Sequence, residues 1–145
     1  MARTSDAKER LLEAVIELIW TGSYGSTSVD LICERAGVKK GSFYHFFESK
    51  TALALAGIDT AWAEHRVEMD STFSAVHPPL DRLRQCMKNL IAEQKRMKKK
   101  HGRVLGCPVH SLGAEISTLD DALRDKLQKI LAQYIRYFEI GRAHV

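Results

Sequence analysis

The stretch that most constrains this chain is Thr27 to Lys50, TSVDLICERAGVKKGSFYHFFESK. It reads as two short helices around a glycine. Val29 to Ala36 carries apolar Val29, Ile32 and Cys33 at spacings of three and four, which suits one face of a helix. Thr27 or Ser28 can cap its start, because a hydroxyl oxygen accepts from the orphan amides of a first turn. Gly37 follows the last helical residue, where a left-handed backbone is usually needed. A second piece, Lys40 to Phe46, has lysines at its leading end and aromatics behind. Helix, tight turn, helix is the layout whose second helix enters the DNA major groove.

The second helix has the chemistry for that role. Lys39, Lys40 and Ser42 sit at the end that meets base edges and phosphates. Gly41 has no side chain, so the backbone there can approach a duplex closely. Phe43 and Phe46 are three apart and are expected to share the inward face. Tyr44 and His45 are then left outward, where hydroxyl and imidazole can donate to phosphate oxygens. Lys50 opens the next helix and is expected to add a phosphate contact. A surface hairpin with solvated lysines accounts for Lys39 or Lys40 alone, but not for the whole arrangement.

AGVKKGSFYHFFESKTAL resembles the DNA-binding domain of the TetR-type bacterial transcriptional regulators, and the preceding ERLLEAVIELIWTGSYGSTSVDLICE resembles that family's first two helices. The resemblance runs from about Asp6 to about Ala61. It implies an all-α homodimer: a three-helix helix-turn-helix head (residues 5–60) joined by a long helix to a helical ligand-binding and dimerisation domain (61–138, incomplete here). The heads of such a dimer bind double-stranded, palindromic operator DNA, and the body binds a small-molecule inducer. Carried over by resemblance, the DNA contacts fall on Thr27, with Ser28 beside it, and on Lys39, Lys40, Gly41, Ser42, Tyr44, His45 and Lys50. Cys33 departs from the more usual alanine, but a thiol packs as a small hydrophobe.

Net charge adds less than it first suggests. The chain of 145 residues carries +4. Within residues 1–50 the seven bases (Arg3, Lys8, Arg10, Arg35, Lys39, Lys40, Lys50) cancel seven acids (Asp6, Glu9, Glu13, Glu17, Asp30, Glu34, Glu48). The DNA reading therefore rests on local placement rather than bulk charge. Length allows one or two small domains. No apolar run reaches membrane-spanning length, and the N-terminus lacks a signal peptide's apolar segment. Three scattered cysteines make no disulfide framework, so a reducing cytoplasm is expected, with no membrane partner.

Along the chain, Met1 to Ser5 is expected as a loose arm, with Ser5 or Asp6 capping the first helix. Leu11, Val15, Leu18 and Ile19 form its inward stripe, widened by Leu12, Ile16 and Trp20. Gly22 and Gly25 bracket a loop. A long helix is expected from Ser49, its cap, to about Ser74. It keeps Leu53, Ala56, Ile58, Ala61 and Trp62 inward. By resemblance it links head to body, and rigidity matters because dimer half-sites sit about 34–36 Å apart. His65 and Glu68, three apart, read as a solvated helix contact. His77, Pro78 and Pro79 break the chain. The next helix is expected from about Leu80 to Lys98, with Leu83, Met87, Leu90, Ile91, Gln94 and Met97 as a core-packing stripe. It ends in a basic run, Lys95, Arg96, Lys98, Lys99, Lys100, His101 and Arg103, for which a solvated helix end near the negative dipole terminus is the simpler account.

Pro108 suits the first position of a helix, which places Cys107 at its N-cap. A thiol there feels the positive end of the dipole, which favours thiolate. Cys107 is thus a candidate ligand- or redox-sensing residue, with a packed, unreactive cysteine as the alternative. The Gly106–Cys107 pair also resembles a subgroup of the TetR family that includes a repressor responding to N-ethylmaleimide and related electrophiles. Cys86, His101, Cys107 and His110 lack two clean paired-ligand spacings for a metal. No nucleophile–base pair, phosphate loop or acid pair marks an enzyme, and no cofactor is implied.

A last helix is expected after Thr118 or Asp120, with Leu119, Leu123, Leu127, Ile130, Leu131, Tyr134 and Phe138 recurring at threes and fours. The pattern stops at IGRAHV. The string Glu139 to Val145 is also what GAG ATC GGA AGA GCA CAC GTC encodes, which resembles a sequencing-adapter read. Residues 139–145 are therefore expected to be a non-native tail on a truncated reading frame. Such a chain would lack its main dimerisation helices, expose apolar surface and bind DNA poorly as a monomer. Two readings follow: a DNA-binding repressor released by a small-molecule or electrophile inducer, and a truncated protein-interaction fragment with a vestigial head.

Overall fold

The computed structural model describes residues 2–116 and 120–140. These form seven helices: α1 (Ala2–Thr21), α2 (Val29–Ala36), α3 (Lys40–Phe46), α4 (Lys50–Thr72), α5 (Pro79–His101), α6 (Pro108–Ile116) and α7 (Asp121–Ile140). No strand occurs among the described residues, and none of these helices is long and apolar enough to cross a membrane.

α1 begins at Ala2, so the expected loose arm is helical over 2–5 and neither Ser5 nor Asp6 is a cap. No proline or glycine interrupts this segment, and Asp6 pairs with Arg10 one turn on at 3.4 Å. Leu11, Ala14, Val15 and Ile19 are buried, with Leu12, Ile16 and Leu18 packed beside them. α1 lies against α2, α3, α4 and α6, which is why its apolar surface is wider than one stripe.

α2 starts at Ser28, whose Oγ accepts from Leu31 N at 3.1 Å. It ends at Gly37 with φ +61°, a left-handed angle that side chains with a Cβ adopt at a cost. Arg10 Nη1 reaches from α1 to the Ala36 carbonyl at 3.0 Å and ties that turn down. α4 is capped by Ser49, which accepts from Ala52 N at 3.0 Å, and then runs unbroken for 23 residues. Gly57 lets α4 meet α1 closely: a Cβ there would stand 2.9 Å from Val15 Cγ1.

Leu112 and Ile116 of α6 and Leu123, Leu127 and Ile130 of α7 join the same buried cluster as the helix-turn-helix core. The core is thus continuous across residue 60. Asp120 caps α7, accepting from Leu123 N at 3.1 Å and from Thr51 Oγ1 at 3.0 Å. Thr118 and Leu119, and residues 141–145 of the expected 139–145 tail, lie outside the described residues, while Glu139 and Ile140 belong to α7. A second small cluster, Met69, Phe73 and Cys86, closes the far end of α4 under Tyr134 and Tyr137. His65 pairs with Glu68 at 3.8 Å and stacks on Tyr134 with ring centroids 5.8 Å apart.

α5 departs from expectation. Its buried residues are Arg82, Cys86 and Met97, whereas Leu83, Met87, Leu90 and Ile91 are exposed, with Leu80 at 65%. Gln94 exchanges hydrogen bonds with the backbone of Gly106 at 2.9 and 3.0 Å, holding the α5–α6 connection. The apolar period of the sequence marks a face that favours burial. It does not say which element covers it, and among the described residues α4 takes the opposite side.

Candidate nucleic-acid interface

α3 is seven residues long, too short to hold itself in water, so its anchors decide its orientation. Phe43 is fully buried and Phe47 is 7% exposed, their centroids 6.3 Å apart. Phe46, expected to share the inward face with Phe43, is half-buried beside them. Phe47 lies four residues beyond Phe43, one helical turn, but just past the end of α3, so a stripe counted within the helix misses it. With Phe43 and Phe47 inward, Tyr44 and His45 are exposed. Each ring is steadied edge-on by its neighbour, Tyr44 by Phe43 and His45 by Phe46, both at 5.0 Å.

The leading end of α3 is open. Lys39 occupies the N-cap position without a side-chain cap bond and is exposed. A Cβ at Gly41 would meet nothing within 4 Å, so internal packing does not demand glycine there. Ser42 is half-buried. Lys40 is exposed and pairs with Asp30 on α2 at 2.8 Å, a contact that also raises its pKa. The pair crosses from one helix of the motif to the other.

Two of the expected contact residues have partners within the chain. Thr27 is buried, 1% exposed, and its hydroxyl donates to the Ser23 carbonyl at 2.7 Å while its amide donates to Tyr24 O. Its role is to build the turn, and Ser28, exposed, does the capping. Lys50 turns back rather than out. Its Nζ donates to Tyr24 O at 2.9 Å and sits 4.0 Å from the centroid of the Tyr24 ring. Carbonyl and ring together satisfy an ammonium that the sequence reading assigned to a phosphate.

Behind the motif, Glu17 gathers charge. Arg35 reaches it at 3.0 Å, Lys100 at 3.0 Å and His101 at 3.9 Å. The Arg35 hydrogen bond, aided by Lys100, holds the Glu17 carboxyl below its ordinary range. The basic end of α5 is therefore partly folded onto α1, and Arg103 also donates to the Thr21 carbonyl. Cys107 is exposed directly before α6, while Cys33 and Cys86 are buried and burial pushes both thiols up. Among the described residues no three His, Cys, Asp or Glu side chains converge as metal ligands.

A capped helix, a left-handed glycine and a short aromatic-anchored helix with its polar side free define a helix-turn-helix head on a helical body. Residues 11–56 match the family model described as bacterial regulatory proteins, tetR family. The crystal structure of regulatory protein TetR from Rhodobacter sphaeroides superposes with a TM-score of 0.80 at 33% identity, covering 94% of this chain and 73% of that one. The chain belongs to the TetR family of bacterial regulatory proteins. It is also similar to the transcriptional regulator AcuR of Cereibacter sphaeroides, 34% identical over 90% of this chain and 58% of that protein. The reduced form of NemR from Escherichia coli matches with a TM-score of 0.75 at 25% identity, over 94% of this chain and 69% of that one. The chain spans less than two thirds of the length of the first curated relatives it matches.

Proposed function

We propose that this chain reads double-stranded operator DNA as a transcriptional repressor. The observation that carries the reading is α3 itself: Phe43 and Phe47 fix it from inside, and Lys39, Gly41, Tyr44 and His45 are left on the outer side. Relatives named as HTH-type transcriptional repressors, NemR of Escherichia coli and DhaR of a Mycobacterium, support the direction of control. The contacts are Lys39, Lys40, Ser42, Tyr44 and His45, with the backbone at Gly41 closing on the duplex; Ser28 stands at the motif's N-terminal edge. The working form is a cytoplasmic homodimer, because two-fold palindromic sites are read by two-fold pairs. A small-molecule or electrophile inducer releases it, with Cys107 as the accessible thiol.

Selection from a random duplex library, followed by titration against a scrambled duplex, tests this. The expected result is an enriched palindrome bound well above background. Ser42→Ala, at the end that meets base edges, should weaken and relax recognition, whereas Lys40→Ala should weaken all duplexes evenly and reduce the salt slope by about 1. Absence of any enriched sequence would leave the interaction-fragment reading in its place. For the thiol, maleimide labelling of Cys107 no faster than that of free cysteine removes the electrophile arm.

A further inference from the structure

We infer that Glu115 is a positioning residue for DNA reading: from α6 its carboxylate pins the turn between α1 and α2 and so sets the angle at which the two-helix motif stands. The inference rests on the DNA-reading role proposed above. Glu115 Oε2 accepts from Tyr24 N at 2.8 Å, and Oε1 accepts from Gly25 N at 2.7 Å. Both oxygens of one carboxylate therefore hold two successive backbone amides, ninety residues away in the chain. Hydrogen bonds to an ionised acceptor are shorter and stronger than neutral ones.

Gly25 is shaped to this contact. A Cβ at Gly25 would stand 3.1 Å from Glu115 Oε1, with nothing else within 4 Å apart from Gly25 itself and its two chain neighbours. The rest of the turn is held by the start of α4. Lys50 takes the Tyr24 carbonyl, and the Tyr24 hydroxyl shares a hydrogen bond with Thr51 at 2.9 Å. Thr51 in turn donates to Asp120, the cap of α7. Amide, carbonyl and phenol of Tyr24 are thus each gripped by a different side chain from outside the motif. Downstream, Thr27 folds back on Ser23 and Ser28 caps α2, so nothing slack separates the clamp from the helices. A turn released at Tyr24 and Gly25 lets α2 and α3 rotate about the Phe43 and Phe47 anchors.

The test uses the full chain with Glu115→Gln and, separately, Gly25→Ala, on the selected duplex and on its scrambled counterpart. Titrations run well below each variant's melting transition, with the folded state checked by circular dichroism. Tyr24 and Gly25 amides are followed by hydrogen exchange. The expected result is a loss of about tenfold or more on the selected duplex. Binding to the scrambled duplex should stay equal in Gly25→Ala and stay equal or rise in Glu115→Gln, where removing a carboxylate favours phosphate contact. The two amides should exchange faster in both variants. Retained affinity and preference in variants whose two amides exchange freely would overturn the inference, as would an equal loss on both duplexes. A wild-type chain with no sequence preference would instead end the DNA reading itself, and this inference with it.

Discussion

Phe43 shows how much a single side chain decides. It is fully buried, in a helix too short to persist alone, so its removal both opens a cavity and frees α3. Phe43→Ala should cost about 3–5 kcal/mol in urea unfolding, and Phe46→Ala distinctly less, because Phe46 is only half-buried. Gly41 makes the opposite case. A methyl there meets nothing, so Gly41→Ala should stabilise the free chain by up to about 1 kcal/mol. The same variant should bind the selected duplex more weakly, which parallel melting and titration measure. At this scale the sequence was largely readable, since caps and the left-handed glycine are local rules. Lys50 and Thr27 were not, because the partners that occupy them come from a loop whose path local patterning does not specify.

Among elements, the junction of α1, α2 and α5 is ionic. Glu17 of α1 receives Arg35 of α2 and Lys100 of α5, and its folded-state pKa lies below the ordinary 4.5. A depressed carboxyl contributes stability above its unfolded pKa and loses it as pH falls through the lowered folded value. Wild type should thus exceed Glu17→Gln in urea midpoint at neutral pH, and the gap should close as pH drops below 4.5. A gap that stays constant down to strongly acid pH would mean that the carboxylate charge contributes nothing. Helix positions followed from periodicity and breakers: α2 and α3 begin and end where the pattern placed them, and Pro79 opens α5. The basic run ending α5 gave no sign that two of its members close on Glu17, because pairings between distant elements leave no local trace.

For the molecule as a whole, the outer side of α5 stands apart. Leu80, Leu83, Met87, Leu90 and Ile91 form an exposed apolar strip on a helix whose buried side includes Arg82. Strips of this kind bind hydrophobic dyes and favour association. The chain should therefore enhance ANS fluorescence in its folded state, and Met87→Lys with Ile91→Lys should reduce that signal without lowering the melting temperature. An unchanged signal would place the dye elsewhere. Periodicity found this face correctly as apolar and assigned it to the core wrongly, since amphipathicity states a preference and not a neighbour.

α4 has one more consequence. Its 23 residues contain no proline, and at 1.5 Å per residue they make a rod of about 35 Å. A tilt of about 5° about the far end would swing the near end by about 3 Å, close to the 3.4 Å rise of one base step along a strand. Because Ser49 and Lys50 begin that rod directly beyond Phe47, a tilt of that size is enough to carry the head about one rung along a duplex, together with the α6 and α7 side chains that share its core.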